Sequence, residues 1–127
     1  MSSLDYSYVE KEIVNWLRNK VKSVGMEGGV VGLSGGIDSS VTAVLCKKAF
    51  PENTLGLIMP CNSSDRDKKD AEKLAAKFNI EYIDKDLTPV LDKFMHVLEN
   101  KKEYQEDMAV ANIKPRLRMT ALYYYAA

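Results

Sequence analysis

Val30-Val31-Gly32-Leu33-Ser34-Gly35-Gly36-Ile37-Asp38-Ser39-Ser40 reads as a strand, a tight turn and the start of a helix in immediate succession. The short apolar run Val30, Val31, Leu33 is the pattern of a buried strand. It ends at Ser34-Gly35-Gly36, where two glycines allow a sharp turn and a close approach of backbone to a ligand. Asp38, Ser39 and Ser40 then lead into Val41-Thr42-Ala43-Val44-Leu45, a helical pattern that ends near Pro51. Strand, glycine turn and helix N-terminus together aim backbone N–H groups and a positive dipole end at an anion. The flanking hydroxyls and the single carboxylate narrow that anion to a phosphate chain carrying a divalent metal.

On either side of this stretch, strand and helix patterns alternate. Asp5 to Val24 reads as an amphipathic helix, with Val9, Ile13, Val14, Leu17, Val21 and Val24 at helical spacing and Gly25 as its C-terminal cap. Thr54-Leu55-Gly56-Leu57-Ile58-Met59, stopped by Pro60, is apolar nearly throughout, as expected of a strand covered on both faces. Ser63 or Ser64 caps the next helix, with Asp65 and Asp67 in its first turn and Ala71, Leu74, Ala75 and Phe78 as its buried stripe. Ile80 to Asp84 is a shorter, more alternating strand, expected nearer an edge. Thr88-Pro89 starts another helix. Lys101 to Asp107 is charged and loop-like, and the last helix is expected to begin near Pro115, with Asn112 at its entry. The alternation implies an α/β domain, a parallel sheet flanked by helices with right-handed crossovers. Residues 1–127 form a single domain in this reading. Three strands are few for that class and the last helical pattern reaches Ala127 uncapped, so further C-terminal strands are expected to complete it.

Composition bounds the function by exclusion. Eighteen basic and eighteen acidic residues cancel, so bulk charge offers no drive toward nucleic acid or anionic membrane, and anion binding must come from local geometry. No apolar run is long enough to span a bilayer, and Met1-Ser2-Ser3-Leu4-Asp5 lacks a signal-peptide pattern, so a cytoplasmic location is expected. Cys46 and Cys61 are the only cysteines and read as reduced, structural thiols. His96, the only histidine, falls on the polar side of a helix, which leaves little basis for zinc or histidine-dependent nucleophilic chemistry.

Among phosphate-binding loops, Gly32 to Gly36 lacks the spacing of the dinucleotide fingerprint, and no lysine stands where a Walker loop needs one. Gly35, Gly36 and the following N–H groups suit a pyrophosphate cradle, with Ser34 and Ser39 as hydroxyl donors. Asp38 beside phosphates would be repulsive unless a cation intervened, and Mg²⁺ favours one or two carboxylates plus phosphate oxygens. The plain alternative is a Gly-Gly turn with Asp38 and Ser39 capping a helix.

Gly32-Leu33-Ser34-Gly35-Gly36-Ile37-Asp38-Ser39 resembles the Ser-Gly-Gly-x-Asp-Ser loop of the ATP pyrophosphatase (PP-loop) superfamily, whose members cleave ATP to AMP and pyrophosphate. Asn112-Ile113-Lys114-Pro115-Arg116-Leu117-Arg118-Met119, followed by Tyr123-Tyr124-Tyr125, is similar to the Asn-x-Lys-Ala-Arg-x-Arg-Met segment of NAD synthetases, and Asp70-Ala71 also agrees. The resemblance runs from the first helix to the last residue and implies a Rossmann-like adenine nucleotide alpha hydrolase fold. It further implies amidation of deamido-NAD by ammonia through an adenylate, with ATP as co-substrate and Mg²⁺ as cofactor. By position, Gly32, Leu33, Ser34, Gly35, Gly36, Ile37, Asp38 and Ser39 would bind ATP, Asp38 would hold the metal, and Met59 would line the adenine pocket through its backbone. Arg116, and less directly Asn112 and Tyr123, would contact deamido-NAD. Family members are symmetric dimers, so a homodimer is expected, with no nucleic-acid or membrane partner.

Two departures qualify the likeness. Pro115 stands where the pattern most often has Ala, and the family's later Gly-Thr strand, second metal-binding Glu and substrate Lys have no counterpart in this chain. The 127 residues alone are therefore expected to be inactive, and with no glutaminase domain ahead of the first helix the nitrogen donor is expected to be ammonia. Two alternatives remain at this level: a tRNA- or nucleotide-modifying PP-loop enzyme, and a module that binds ATP without turning it over.

Overall fold

The computed structural model describes residues 4–100 and 103–127, so Lys101 and Lys102 of the expected charged loop, and Met1 to Ser3, lie outside the described residues. In chain order these residues form α1 (Tyr6–Ser23), β1 (Gly29–Gly32), α2 (Ile37–Ala49), β2 (Thr54–Ile58), α3 (Asp65–Lys77), β3 (Glu81–Asp84), α4 (Thr88–Glu99) and α5 (Met108–Ala126). Among them the strands make one parallel sheet in the order β1-β2-β3, with Val30 opposite Leu55 and Leu57 opposite Ile83. The continuously apolar β2 is the central strand, and the polar β3, whose Glu81, Tyr82 and Asp84 are exposed, lies at an edge.

The period-2 alternation of strand side chains sorts the core. Val31 of β1, Leu33 just past it and Ile58 of β2 turn toward α2 and α3, where Ala43, Ala71 and Ala75 are small enough to let both helices approach closely. On the opposite face, a Cβ on Gly32 would meet Met59 and Leu122 of α5. A second cluster joins α1 to α2 through Val14, Cys46, Ala49 and Phe50. A third joins α4 and α5 to the residues just past β2 through Cys61, Leu91, Met95 and Val110. Only half of the apolar stripe of α1 is covered. Val14 is buried and Leu17 and Val21 pack beside it, whereas Val9, Ile13 and Trp16 are exposed, because α1 rests on α2 and on little else.

Local chemistry sets the helix ends. Asp5 and Asp107 accept from the Tyr8 and Val110 N–H groups at the starts of α1 and α5. Ser64 rather than Ser63 is the cap of α3, accepting from Asp67 N. Gly25, at φ +77°, ends α1: its N–H bonds Lys22 O and the Met26 N–H bonds Val21 O, the paired bonds of a Schellman motif. At the C-terminus of α2, Arg18 reaches across from α1, with Nε 3.1 Å from Ala49 O and Nη2 3.3 Å from Lys48 O. Arg18→Ala removes a cation and two donors from a helix C-terminus and is expected to lower the unfolding free energy by about 1–2 kcal/mol, read from urea denaturation.

One expectation fails. The last helix begins at Met108, not near Pro115, and Pro115 lies inside it. Proline cannot donate the hydrogen bond to Ala111 O and would ordinarily end a helix there. The first turns persist because Asp107 caps them and Val110, Ile113 and Leu117 pack against Leu91, Met95 and Cys61.

Candidate functional site: the glycine loop and the cavity it opens on

Leu33 continues the sheet for one residue past β1, its N–H 2.8 Å from Leu57 O, before the chain turns away. Gly35 makes the turn at φ +85°, and a Cβ there would lie 2.6 Å from the Asp67 carbonyl oxygen on α3. Gly36 is the N-cap of α2 and supplies no side-chain hydrogen bond. The loop is shaped by its own hydroxyls: Ser34 Oγ lies 2.7 Å from Ser39 Oγ, Ser34 N donates to Ser39 Oγ at 3.2 Å, and Ser40 Oγ donates to Gly36 O at 2.6 Å. α1, α3 and α5 are each capped by an oxygen-bearing side chain, whereas α2, like α4, has no side-chain cap bond from its N-cap residue, and in α2 that N-cap is the glycine that ends the loop. This arrangement suits an anion held by backbone donors in a preformed loop.

The loop borders an open cavity of about 570 Å³ beyond the C-terminal ends of β1 and β2. Gly32, Leu33, Ser34 and Ser39 form one wall, Met59 and Pro60 the floor, and the start of α3, with Ser63, Ser64 and Lys68, a second wall. α5 closes it with Lys114, Pro115, Arg118, Met119 and Leu122. A smaller polar recess adjoins it past β3, and Lys68, paired with Asp84 at 2.6 Å, stands between the two.

The structure divides the expected site residues. Gly32, Leu33, Ser34, Ser39 and Met59 border the cavity. Gly35, Gly36, Ile37 and Asp38 belong to the turn and the first turn of α2, with Ile37 and Asp38 exposed. Arg116, Asn112 and Tyr123 share a different face of α5. Arg116 Nη1 folds back to Asn112 O at 2.6 Å, and Tyr123 is 71% exposed. The basic groups that α5 brings to the cavity, beside Lys68 from α3, are Lys114 and Arg118, spaced by four on one helical face, and that spacing was the available signal once α5 is seen to be helical from Met108.

Arg118 Nε donates to Met59 O at 3.0 Å and Nη2 to Ser63 Oγ at 3.1 Å. Lys114 Nζ lies 2.9 Å from Glu106 Oε2, and Asn62 Nδ2 bonds the other oxygen of the same carboxylate. The Lys114 hydrogen bond is the main cause that holds Glu106 below the usual glutamate range, with Asn62 adding to it. Burial pushes the Cys61 thiol up against the opposing effect of Arg118 and Lys114, and burial likewise raises Cys46. Both cysteines are free and buried, as structural thiols should be. Among the described residues no group of three or more His, Cys, Asp or Glu side chains is placed to hold a metal. Asp38 is exposed, and an exposed carboxylate at a phosphate loop fits a cation that takes other ligands from substrate oxygens and water.

Comparison with known proteins places this architecture. The chain is 49% identical over 118 residues to the NH3-dependent NAD synthetase of Carboxydothermus hydrogenoformans, an overlap of 92% of this chain and 49% of that protein. It is 43% identical over 123 residues to the enzyme of the same name from Finegoldia magna, covering 97% of this chain and 50% of the relative. Among solved structures, the Campylobacter jejuni NH3-dependent NAD synthetase superposes with a TM-score of 0.84 at 34% identity, over 97% of this chain and 52% of that one. The Francisella tularensis NMN synthetase does so with a TM-score of 0.88 at 33% identity, over 98% and 51%. The chain thus spans about half the length of the curated relatives it matches and shares the parallel-sheet, Rossmann-like PP-loop fold of its structural neighbours. The family model for NAD synthase matches residues 9–127, and the chain belongs to that family.

Proposed function

We propose that these residues are the ATP-binding part of an ammonia-dependent NAD synthetase. The observation that carries the reading is the first turn of α2, left without a side-chain cap at the end of a hydroxyl-shaped loop bordering the cavity. In the reaction, a nicotinate carboxylate oxygen of deamido-NAD attacks the α-phosphorus of ATP, pyrophosphate leaves, and the adenylate forms. Ammonia then attacks the acyl carbon, and AMP departs with the bonding electron pair, giving the amide of NAD and a released proton. The Gly35–Ser39 backbone and the Ser34 and Ser39 hydroxyls hold the pyrophosphate as charge develops on it, so catalysis rests on positioning and preorganised donors.

Asp38 would hold Mg²⁺, which supplies charge neutralisation at the phosphate oxygens when bound. The Met59 segment lines the base end of the cavity. Arg116, Asn112 and Tyr123 offer a separate face for deamido-NAD, and the exposed Tyr123, Tyr124 and Met119 suit a homodimer contact beside it. The NMN synthetase likeness favours a second reading, in which the corresponding mononucleotide is the acceptor. Competition between the two acceptors on the ATP-loaded chain separates them.

The test is calorimetric titration of ATP with and without Mg²⁺. Asp38→Ala is expected to weaken ATP·Mg²⁺ binding by about tenfold or more while leaving metal-free ATP binding within about twofold. Equal affinities for wild type and variant in the presence of Mg²⁺ would remove Asp38 from the metal assignment.

A further inference from the structure

Met59 is the residue at which the two walls of the cavity meet. In β2, Leu57 offers its carbonyl to Leu33, which extends β1 by one residue. Residues two apart in a strand turn their peptide groups to the same side. The Met59 carbonyl therefore points past the end of β1, and there it meets the Arg118 Nε at 3.0 Å. The same guanidinium reaches Ser63 Oγ at 3.1 Å, and Ser63 Oγ accepts from Cys61 N at 3.2 Å in the loop that leads to α3. One planar group on α5 thus fastens both the end of β2 and the following loop, and it borders the cavity together with Met59 and Ser63. The Lys114–Glu106–Asn62 network, one helical turn earlier on α5, ties the same loop independently.

From this geometry we infer that Arg118 is a positioning residue for the nucleoside end of the bound nucleotide. It acts through the Met59 peptide and the Ser63 loop, while the phosphate end is held by Ser34 to Ser39. The inference rests on reading the cavity as the ATP site. A lysine cannot replace the arginine, because a single ammonium lacks the planar fork that reaches two acceptors from one fixed position. The Lys114 network keeps the loop folded when Arg118 is altered, so the effect falls on nucleoside recognition and not on the fold.

The test compares ATP with inorganic tripolyphosphate, each with Mg²⁺, by calorimetry on the 127-residue chain. ATP and tripolyphosphate share the phosphate chain and differ by the adenosine. Arg118→Ala is expected to weaken ATP by about tenfold, Arg118→Lys by about fivefold and Ser63→Ala by about threefold, with tripolyphosphate affinity changing less than about twofold in each. Ser63→Ala and Arg118→Lys carry the test if Arg118→Ala proves unstable by thermal melting. Unchanged ATP affinity in all three variants, or parallel losses of ATP and tripolyphosphate, would overturn the inference while leaving the nucleotide site standing. Failure of the wild-type chain to bind either ligand would overturn the nucleotide reading itself, and the inference with it.

Discussion

Gly35→Ala is expected to abolish useful nucleotide binding with the fold largely retained. The residue sits at φ +85°, where an L side chain is strained, and the added Cβ would stand 2.6 Å from the Asp67 carbonyl oxygen and 3.2 Å from its carbonyl carbon and Cα. Those neighbours are backbone, so no rotamer change relieves the overlap. The loop must flatten away from α3, or the first turn of α3 must retreat. Either movement separates Ser34 from Ser39 or opens the wall formed by Ser63 and Ser64. Left-handed strain of about 1–2 kcal/mol plus the displaced contact gives roughly 2–4 kcal/mol in all. Affinity for ATP·Mg²⁺ should fall by at least about thirtyfold. Calorimetry with far-UV circular dichroism as the control decides the point; affinity and unfolding free energy both equal to wild type would show that the turn relaxes without consequence.

Leu91→Ala is expected to have the largest effect on stability. Leu91 is wholly buried on α4, in the cluster that joins Cys61, Met95 and Val110. Truncation removes buried methyl groups and leaves a cavity that the flanking helices close only in part, at a cost of about 3 kcal/mol. That is a large share of the roughly 5–15 kcal/mol that holds an ordinary domain, and the melting temperature should drop by roughly 10 °C. The same cluster sets the height of α5 above the sheet, and α5 carries Lys114 and Arg118 at the cavity. Leu91→Ala should therefore weaken ATP binding as well, whereas Leu91→Met, which nearly conserves volume, should leave both quantities close to wild type. A melting point that moves by less than about 2 °C would show that the cluster is not the tie between α4 and α5.

The elements that sequence reasoning located well are those governed by neighbours in the chain. Strand limits at Thr54 and Asp84, the Pro89 start of α4, the Gly25 ending of α1 and the glycine turn into α2 all follow from backbone sterics, capping and apolar periodicity. That both faces of β2 are covered was likewise legible, because such a strand must be apolar nearly throughout; its central place came from the sheet order. The start of α5 was not. Pro115 is a local signal against a helix, and it was overridden by the packing of Val110, Ile113 and Leu117 against residues far away in the chain.

The same contrast runs through the site. Residues Val30 to Ser40 carry their own instructions: two glycines, the hydroxyls that bond one another, and a helix whose first turn has no side-chain cap. Apart from the close approach of Gly35 to Asp67, their hydrogen bonds run between near neighbours, so the order of side chains is enough to specify an anion-binding loop and, with the motif on α5, to point to a family. Which arginine of that second motif faces the loop depends instead on the rotation of α5 about its axis, and that is set by the buried side chains that seat it against α4 and the sheet. Arg116 and Arg118 are two residues apart, about 200° around a helix, so one seating puts Arg118 on Met59 and Ser63 and turns Arg116 outward.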